Sequence, residues 1–407
     1  MVWRLALVQL FFTLGWTVYV IFLPGLFRQA GIDAAWLPWV LIADQLLFAI
    51  ADVVTGVWLD RSNQLMRQAG NWLTALVLAS CAVFMLLPWI AQSAQSWMLL
   101  AAVFVWVVCS SVLRVPPLVL LAKAVTPQQS GGHMAMPVAA YLFGIGVAGA
   151  VAPYLTVLLK NRDPLLPFMM ASVALAVTTL FLRQHFITQS ATISASAPSP
   201  RTSPANPTSP LPLLFSVALF AFGMQVHAAI NSAKLFAIAA PGLSLEWLMP
   251  LYWAGFSVAM FPASRWLARR SDHTGNVHAA ASRAMWLAGL AGGMALVACA
   301  LNPPLPLLVA LQIVAGAAWA VLLLAAIEAA TCLGRTGREG GWIGVTLALI
   351  ALATAGRIIL VLAMSGDNML RAMAAQLPWL AAVLWMVAAA VVWFAGRGWA
   401  FSATKTT

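Results

Sequence analysis

Seven ionisable side chains lie within long apolar stretches of this sequence, where most of the surrounding residues cannot solvate a charge. They are Asp44, Asp52, Arg114, His227, Lys234, Glu328 and Arg357. A charged side chain inside a lipid-spanning helix costs about 2.5–3.5 kcal/mol on insertion scales. Such residues are retained where they pair with each other, contact a solute or carry protons. They are therefore the first candidates for function.

Asp52 and Arg114 are the pair that the spacing brings together. Asp52 precedes Asp60 by eight residues and Arg114 precedes Ala122 by eight, and Asp60 and Ala122 both close their apolar stretches. At a helical rise of 1.5 Å per residue, both side chains lie about 12 Å from the same membrane face. We predict a salt bridge, because an unpaired arginine there would cost far more than a paired one. Its role stays open between a coupling or gating pair and a structural bridge.

Asp44 and Arg357 lie deeper, each about 24 Å from that face. Asp44 is within about 80° of Asp52 around a helix, so both can face one cavity. Asp44 is a candidate proton site or a polar residue bonded to a neighbouring helix. Arg357 is left without an obvious acidic partner. It binds carbonyls, faces water or meets an anionic group of a substrate.

Glu328 lies only about 5 Å from the same face. Its depth separates it from Arg357 and brings it close to basic residues in the loops. We predict that it meets Arg335, Arg338 or the basic loop that contains Arg269 and Arg270. Such a contact would act as a gate at that face.

A polar stripe follows one helix of the second half. His227, Asn231 and Lys234 are spaced i, i+4 and i+7, which places them on one helical face. We predict that this face contributes substrate contacts. For Lys234, near the outer end of the helix, the alternative is a side chain that merely reaches the membrane surface.

The elements that must position these residues are membrane-spanning helices. The chain has 407 residues, of which 63% are apolar and 8% charged, too few charges for the surface of a soluble protein this large. About 20 apolar residues span a bilayer as a helix, and twelve stretches qualify. They are residues 5–27, 36–59, 71–91, 97–122, 136–158, 165–184, 212–237, 245–268, 281–301, 305–331, 341–364 and 377–396.

The net charge of +11 does not indicate nucleic acid. The basic residues gather in the short loops between apolar stretches, as the positive-inside rule expects for cytoplasmic loops. Counting them predicts that both termini are cytoplasmic, in a bacterial-type inner membrane. Four cysteines lie in or beside apolar stretches without the spacing of metal ligands, and we interpret them as buried apolar residues.

A Ser- and Pro-rich segment divides the chain into halves. Residues 189–211 cannot build a core and predict a flexible cytoplasmic linker. The expected domains are a six-helix bundle over residues 1–188 and a second over residues 212–407. Six plus six helices is the layout of two pseudo-symmetric bundles around a central path.

Sequence motifs add a resemblance to the major facilitator superfamily. Gly56–Arg61 (GVWLDR) resembles the superfamily's loop signature after helix 2, in which the acid caps helix ends and helps gate the closed state. The resemblance implies an all-α fold of 12 transmembrane helices, with Asp60 and Arg61 in that gating role.

Three stretches further resemble one branch, the glycoside–pentoside–hexuronide cation symporters typified by the melibiose permease. They are Asp52–Arg61, the stretch from Val115 to Pro127, and Gly337–Gly340. In that branch two carboxylates on helix 2 and one on helix 4 hold the cation. Here Asp52 matches one of them, while Phe48 and Arg114 occupy the other two positions. We therefore do not expect sodium coupling. The branch's sugar-contacting Lys-Asp pair on helix 1 falls near Trp16 and Thr17 here, so a sugar substrate is not expected either.

The predicted function is a secondary transporter that moves a small solute by alternating access, with protons as the candidate coupling ion. An uncoupled facilitator and a lysolipid or amphiphile translocator are alternatives within this class. An integral-membrane enzyme or a non-transporting receptor is the alternative of another class. The sequence contains no metal motif, nucleotide motif or nucleophile–base pair, so no cofactor is predicted. The expected partners are the substrate and the lipid bilayer, and the expected state is a monomer.

Overall fold

The structure, a computed structural model, describes residues 2–62, 64, 68–93, 95–124, 135–195, 209–274, 277–334 and 337–403. Within these ranges the only regular secondary structure is helical. Twelve long helices follow one another at the positions of the twelve predicted spans, and we number them α1 to α12 in chain order.

The first six helices are α1 (Val2–Gln29), α2 (Leu37–Arg61), α3 (Ala69–Gln92), α4, α5 (Ala135–Leu159) and α6 (Leu165–Ala195). The fourth is broken into α4a (Ser96–Val112) and α4b (Val115–Ala124). A short 3-10 turn at Ala34–Trp36 precedes α2.

The second six are α7, α8 (Pro250–Thr274), α9 (Val277–Ala300), α10 (Leu305–Leu333), α11 (Glu339–Gly366) and α12 (Leu377–Ala403). α7 consists of Leu211–Val226, a π segment at His227–Asn231 and Ser232–Ala239. Short helices at Leu245–Leu248, Asn368–Ala372 and Met373–Gln376 lie in the loops before α8 and α12.

Eleven of these helices, as far as the described residues show, are long and apolar enough to cross a membrane. The exception is α8, whose sequence mixes Tyr, Trp and Ser into its apolar stretch and ends on several arginines. It packs between α5 and α10, so neighbouring helices compensate for its weaker apolarity. The chain is accordingly an all-α, multi-pass membrane protein.

The boundary of the predicted linker is different in the structure. α6 continues to Ala195, so the first part of the predicted flexible segment is helical. The reason is that residues 189–195 contain no proline, and the first one that would interrupt the helix is Pro198. Residues 196–208, the Pro-rich part of that segment, lie outside the described residues.

The most extensive packing between the halves involves two pairs of helices: α2 packs along α11, and α5 packs along α8. We call the end of the bundle where α1 begins and α2, α4b and α8 end the basic face, because Arg61, Lys123, Arg269 and Arg270 lie there. At this face the backbones of α2 and α11 touch.

Glycines make that contact possible. A Cβ atom on Gly56 would collide with the carbonyl oxygen of Gly340, and one on Gly344 would collide with the carbonyl oxygen of Asp52. Small residues allow helices to approach this closely in a membrane. Glycines on α5 do the same on the other side of the molecule, where Gly146 lies against Phe256 and Gly149 against Trp253.

Candidate functional site

The break in α4 positions the first candidate. Pro116 and Pro117 have no N–H to donate to carbonyls one turn earlier, so the helix cannot continue regularly through them. Both are well suited to the first turn of a new helix, and α4b begins at Val115. Arg114 therefore lies at the junction, where its backbone carbonyl accepts a hydrogen bond from the Tyr141 hydroxyl at 3.3 Å.

The predicted pairing of Asp52 with Arg114 is present. A guanidinium nitrogen of Arg114 lies 3.2 Å from Asp52 Oδ2, and the two side chains are 19% and 0% exposed. The guanidinium also lies over the ring of Phe48, 4.5 Å from its centroid. Neither Asp52 oxygen accepts an aligned hydrogen bond from the described part of the chain. The carboxylate thus depends on the charge of Arg114 for its stability.

Asp44 has a neutral partner instead. The hydroxyl of Tyr19 on α1 donates to Asp44 Oδ2 at 3.0 Å, and both side chains are buried. The structure therefore bonds Asp44 to a neighbouring helix, as one of the two predicted alternatives stated. It does not exclude the other, because a single hydroxyl donor leaves the carboxylate without a charged partner among the described ion pairs.

Aromatic rings separate the two acids of α2. Phe48 lies one turn from each of them, and Trp16 packs against it with centroids 4.6 Å apart. Trp106 lies 4.5 Å from Trp16. These rings keep Asp44 and Asp52 in separate surroundings. Beside them lies a cavity of about 20 Å³ lined in part by Trp16, Trp106 and Ser172, room for about one water molecule.

Asp60 connects three helices at the basic face. Its Oδ1 accepts from the backbone N–H of Gly340 at 3.0 Å and its Oδ2 from that of Gly341 at 2.7 Å. Lys123, at the end of α4b, lies 3.0 Å from Oδ1. The first N–H groups of a helix have no partner inside it and carry partial positive charge. Asp60 therefore caps α11 from the other half of the molecule.

The other gating candidates are not gathered around Asp60. Arg61, Arg269 and Arg270 are exposed on the basic face, and Arg270 lies 5.9 Å from the ring of Trp266. Glu328 is buried. Of its predicted partners, Arg335 lies outside the described residues.

The predicted stripe on α7 bonds to two different helices. His227 Nε2 lies 3.2 Å from Gln312 Oε1 on α10, whereas Asn231 donates to the carbonyl of Leu377 on α12 at 3.0 Å. Both residues lie in the π segment, and His227 and Asn231 are buried there. Lys234 is exposed, three residues beyond Asn231. These bonds all lie within the second half.

Arg357 is half-buried on α11, and its Nε has no hydrogen-bond partner among the described residues. One turn away, Gln225 of α7 donates to the Thr354 hydroxyl at 2.8 Å. Arg357 thus lies beside the contact of α11 with α7.

Three residues of these networks were not predicted as functional from the sequence: Tyr19, Lys123 and Gln312. Tyr19 and Gln312 carry no charge, so nothing marks them as unusual in an apolar helix. Lys123 did carry a signal, because it is the one cation that follows the break in α4 before the loop. It follows Arg114 by nine residues, close to the eight that separate Asp60 from Asp52.

No protein-family model matches the chain, and no curated protein matches it in sequence. Solved structures do. A bacterial homologue of the iron transporter ferroportin in an outward-facing state aligns with a TM-score of 0.67 at 13% identity, covering 97% of this chain and 98% of that one. The human organic anion transporter MFSD10 aligns with a TM-score of 0.67 at 16% identity, over 97% and 98%.

The major facilitator transporter FucP, in its outward conformation, aligns with a TM-score of 0.57 at 12% identity over 97% of each chain. At such identities these comparisons establish the fold, which is the one expected from the Gly56–Arg61 motif. The narrower resemblance to the cation symporter branch stays a prediction.

Proposed function

We propose that this protein, which has the major facilitator fold, is a secondary transporter that moves a small solute across a bacterial-type inner membrane by alternating access. The observation that carries the proposal is the cap of Asp60 on α11. It joins the two halves at one face through hydrogen bonds and an ion pair. Polar contacts of this kind exchange with water at little cost, so the face can open and close.

Asp44 is the proposed proton carrier. Asp52 faces the fixed charge of Arg114, whereas the hydrogen-bond partner of Asp44 among the described residues is the neutral hydroxyl of Tyr19. A carboxylate that gains a proton next to a neutral donor leaves no stranded counter-charge behind. Asp44 can therefore change its protonation during a transport cycle without breaking an ion pair.

The first experiment identifies a ligand and then separates binding from coupling. Purified protein is screened for thermal stabilisation by sugars, organic acids, peptides and lysolipids. The best ligand is then tested in proteoliposomes with an imposed proton gradient. We expect Asp44→Asn to keep ligand stabilisation and to lose gradient-driven accumulation, because the amide cannot take up a proton.

The exposed acid Asp272 provides the matched control, and Asp272→Asn should accumulate ligand like the wild type. Equal accumulation by Asp44→Asn and wild type would favour the uncoupled facilitator. Stabilisation by lysolipids alone would favour the amphiphile translocator. If none of the compounds stabilises the protein for transport but one of them is chemically converted, the result would favour an enzyme.

The class of solute has one structural indication. Arg357 offers a buried guanidinium nitrogen with no partner among the described residues, and guanidinium groups bind carboxylates and phosphates well. Organic acids are therefore the part of the screen most expected to give a hit. Loss of that hit in Arg357→Gln would assign the contact.

Topology is a separate prediction. Reporter tags placed after Thr407 and within residues 190–210 should both report the cytoplasm. The basic face carries most loop arginines and lysines, and such loops stay on the cytoplasmic side. A periplasmic report from either tag would overturn the proposed orientation.

Sodium should have no saturable effect on the melting temperature or on ligand uptake. Hard cations prefer several oxygen ligands. Asp52 instead pairs with a guanidinium nitrogen of Arg114, and that guanidinium lies over the ring of Phe48. The check is a sodium titration against choline at constant ionic strength. A saturable stabilisation that disappears in Asp52→Asn would show that a cation site exists.

A further inference from the structure

Two ion pairs hold α4b to α2, one at each end. Arg114, at the start of α4b, pairs with the buried Asp52, and Lys123, at its end, pairs with Asp60 at the basic face. The two partners on α2 are about 12 Å apart along that helix, and the two cations are about 14 Å apart along α4b. The helices run in the same direction, so the two ion pairs share one register.

The segment between these ion pairs is stiff. Every residue from Val115 to Ala122 is buried, and α4b packs against α2, α5, α6 and α11. A closely packed helix has few intermediate positions available and moves as a unit. A displacement at one end must therefore appear at the other.

The junction with α4a supplies the pivot. Leu113 and Arg114 are outside both helices, and the two prolines that follow remove hydrogen bonds that would tie the helices together. At the junction, the carbonyl of Arg114 accepts a hydrogen bond from the Tyr141 hydroxyl on α5. α4b can thus rotate relative to α4a without breaking a regular helix.

We propose that α4b is a rigid link that couples the buried Asp52–Arg114 pair to the closure of the basic face by Asp60. Release of Arg114 from Asp52 lets α4b turn about the junction, and Lys123 leaves Asp60. The carboxylate then holds the first turn of α11 less firmly. Arg114 and Lys123 act here as positioning residues. The inference rests on the proposed function in one respect: it takes the separation of Asp60 from α11 to be the opening of the gate.

Hydrogen exchange measured by mass spectrometry on peptides covering residues 339–345 tests the link, because Asp60 binds two of the amides in that segment. The test variant is Asp52→Asn with Arg114→Gln, which removes the inner ion pair without stranding a charge. We expect exchange in this segment to rise about tenfold, the size expected for losing a hydrogen bond to a charged group.

The same change is then made in a Lys123→Gln background. If α4b transmits the effect, Lys123→Gln alone raises exchange and the inner change adds little to it. A direct route exists as a rival, because the backbone of Asp52 packs on Gly344 of α11. If the inner change still raises exchange about tenfold in the Lys123→Gln background, the rigid link is wrong and the direct route is right.

Arg183→Gln is the matched control, since Arg183 is an exposed cation of α6 whose side chain bonds to Asn71 rather than to α2. It should leave exchange unchanged. If the test variant does not fold, Tyr141→Phe replaces it and should raise exchange about threefold through loss of one neutral hydrogen bond. Wild-type exchange in both variants would overturn the proposal. Because no ligand is needed, this outcome is independent of whether transport is found.

Discussion

Arg114→Ala is expected to destabilise the protein by about 3–5 kcal/mol, since it leaves the carboxylate of Asp52 charged and unpaired in a fully buried position. Asp52 is 0% exposed and receives no aligned hydrogen bond from the described residues, so no other group can replace the guanidinium. Asp52→Ala should cost a similar amount, because it strands Arg114. Melting temperatures of the purified variants in detergent measure both effects.

A double-mutant cycle isolates the pair. The double variant Asp52→Ala with Arg114→Ala should be more stable than either single variant, because no charge is left without a partner. Arg371→Ala is the control, since Arg371 is exposed and donates to the backbone carbonyls of Met364 and Ser365 at the end of α11. Additive losses at Asp52 and Arg114 would mean that the two side chains do not stabilise each other.

The exchanged pair, Asp52→Arg with Arg114→Asp, should recover only part of the stability. Phe48 stacks on the guanidinium at its present position, and a guanidinium on α2 would lose that contact. If the neutralised double variant still accumulates ligand normally, the ion pair is structural. The coupling site would then have to be sought at Asp44 or on α7.

The ion pair between Asp52 and Arg114 could be predicted because the depth of a residue in the membrane follows from counting residues along its helix. Asp52 and Arg114 are equally far from residues that end their apolar stretches, and two opposite charges at one depth have a strong reason to meet. Asp60 was predictable from the Gly56–Arg61 motif. In both cases the prediction uses residues that are close in sequence, and it does not depend on how each helix is rotated about its axis.

The sequence did not predict how each helix is rotated about its own axis. The pairing of Asp44 with Tyr19 depends on how α1 faces α2, and a neutral tyrosine carries no charge to mark it. His227 and Asn231 have the spacing of one helical face, and their hydrogen-bond partners are on two different helices, α10 and α12. The spacing alone does not identify those partners, so the proposed role of this face in substrate contact stays a prediction.

The fold does not identify the substrate. The same fold occurs in an iron transporter homologue, an organic anion transporter and FucP at 12–16% identity. Fold therefore does not imply substrate. Only particular groups inside the helices, such as Arg357, can narrow the class.

Gly344→Leu should prevent the basic face from closing. The α-carbon of Gly344 packs directly on the backbone carbonyl of Asp52, and even a Cβ atom would collide there. Backbone cannot swing aside as a side chain can, so α2 and α11 must separate over at least a turn. Gly344→Ala should cost about 1–3 kcal/mol by overpacking, despite a gain of up to about 1 kcal/mol in helix propensity. Gly344→Leu should cost more.

The separation has a specific consequence at Asp60, which reaches Gly340 and Gly341 only while the two helix backbones touch. Exchange of the amides in residues 339–345 should therefore rise in Gly344→Leu, together with a lower melting temperature. Gly25→Ala is the matched control, because Gly25 is inside α1 and a Cβ atom there meets nothing within 4 Å. It should be neutral or slightly stabilising. Normal exchange and a wild-type melting temperature in Gly344→Leu would show that closure of this face does not depend on the contact of α2 with α11, and that Asp60 holds α11 by some other approach of the two helices.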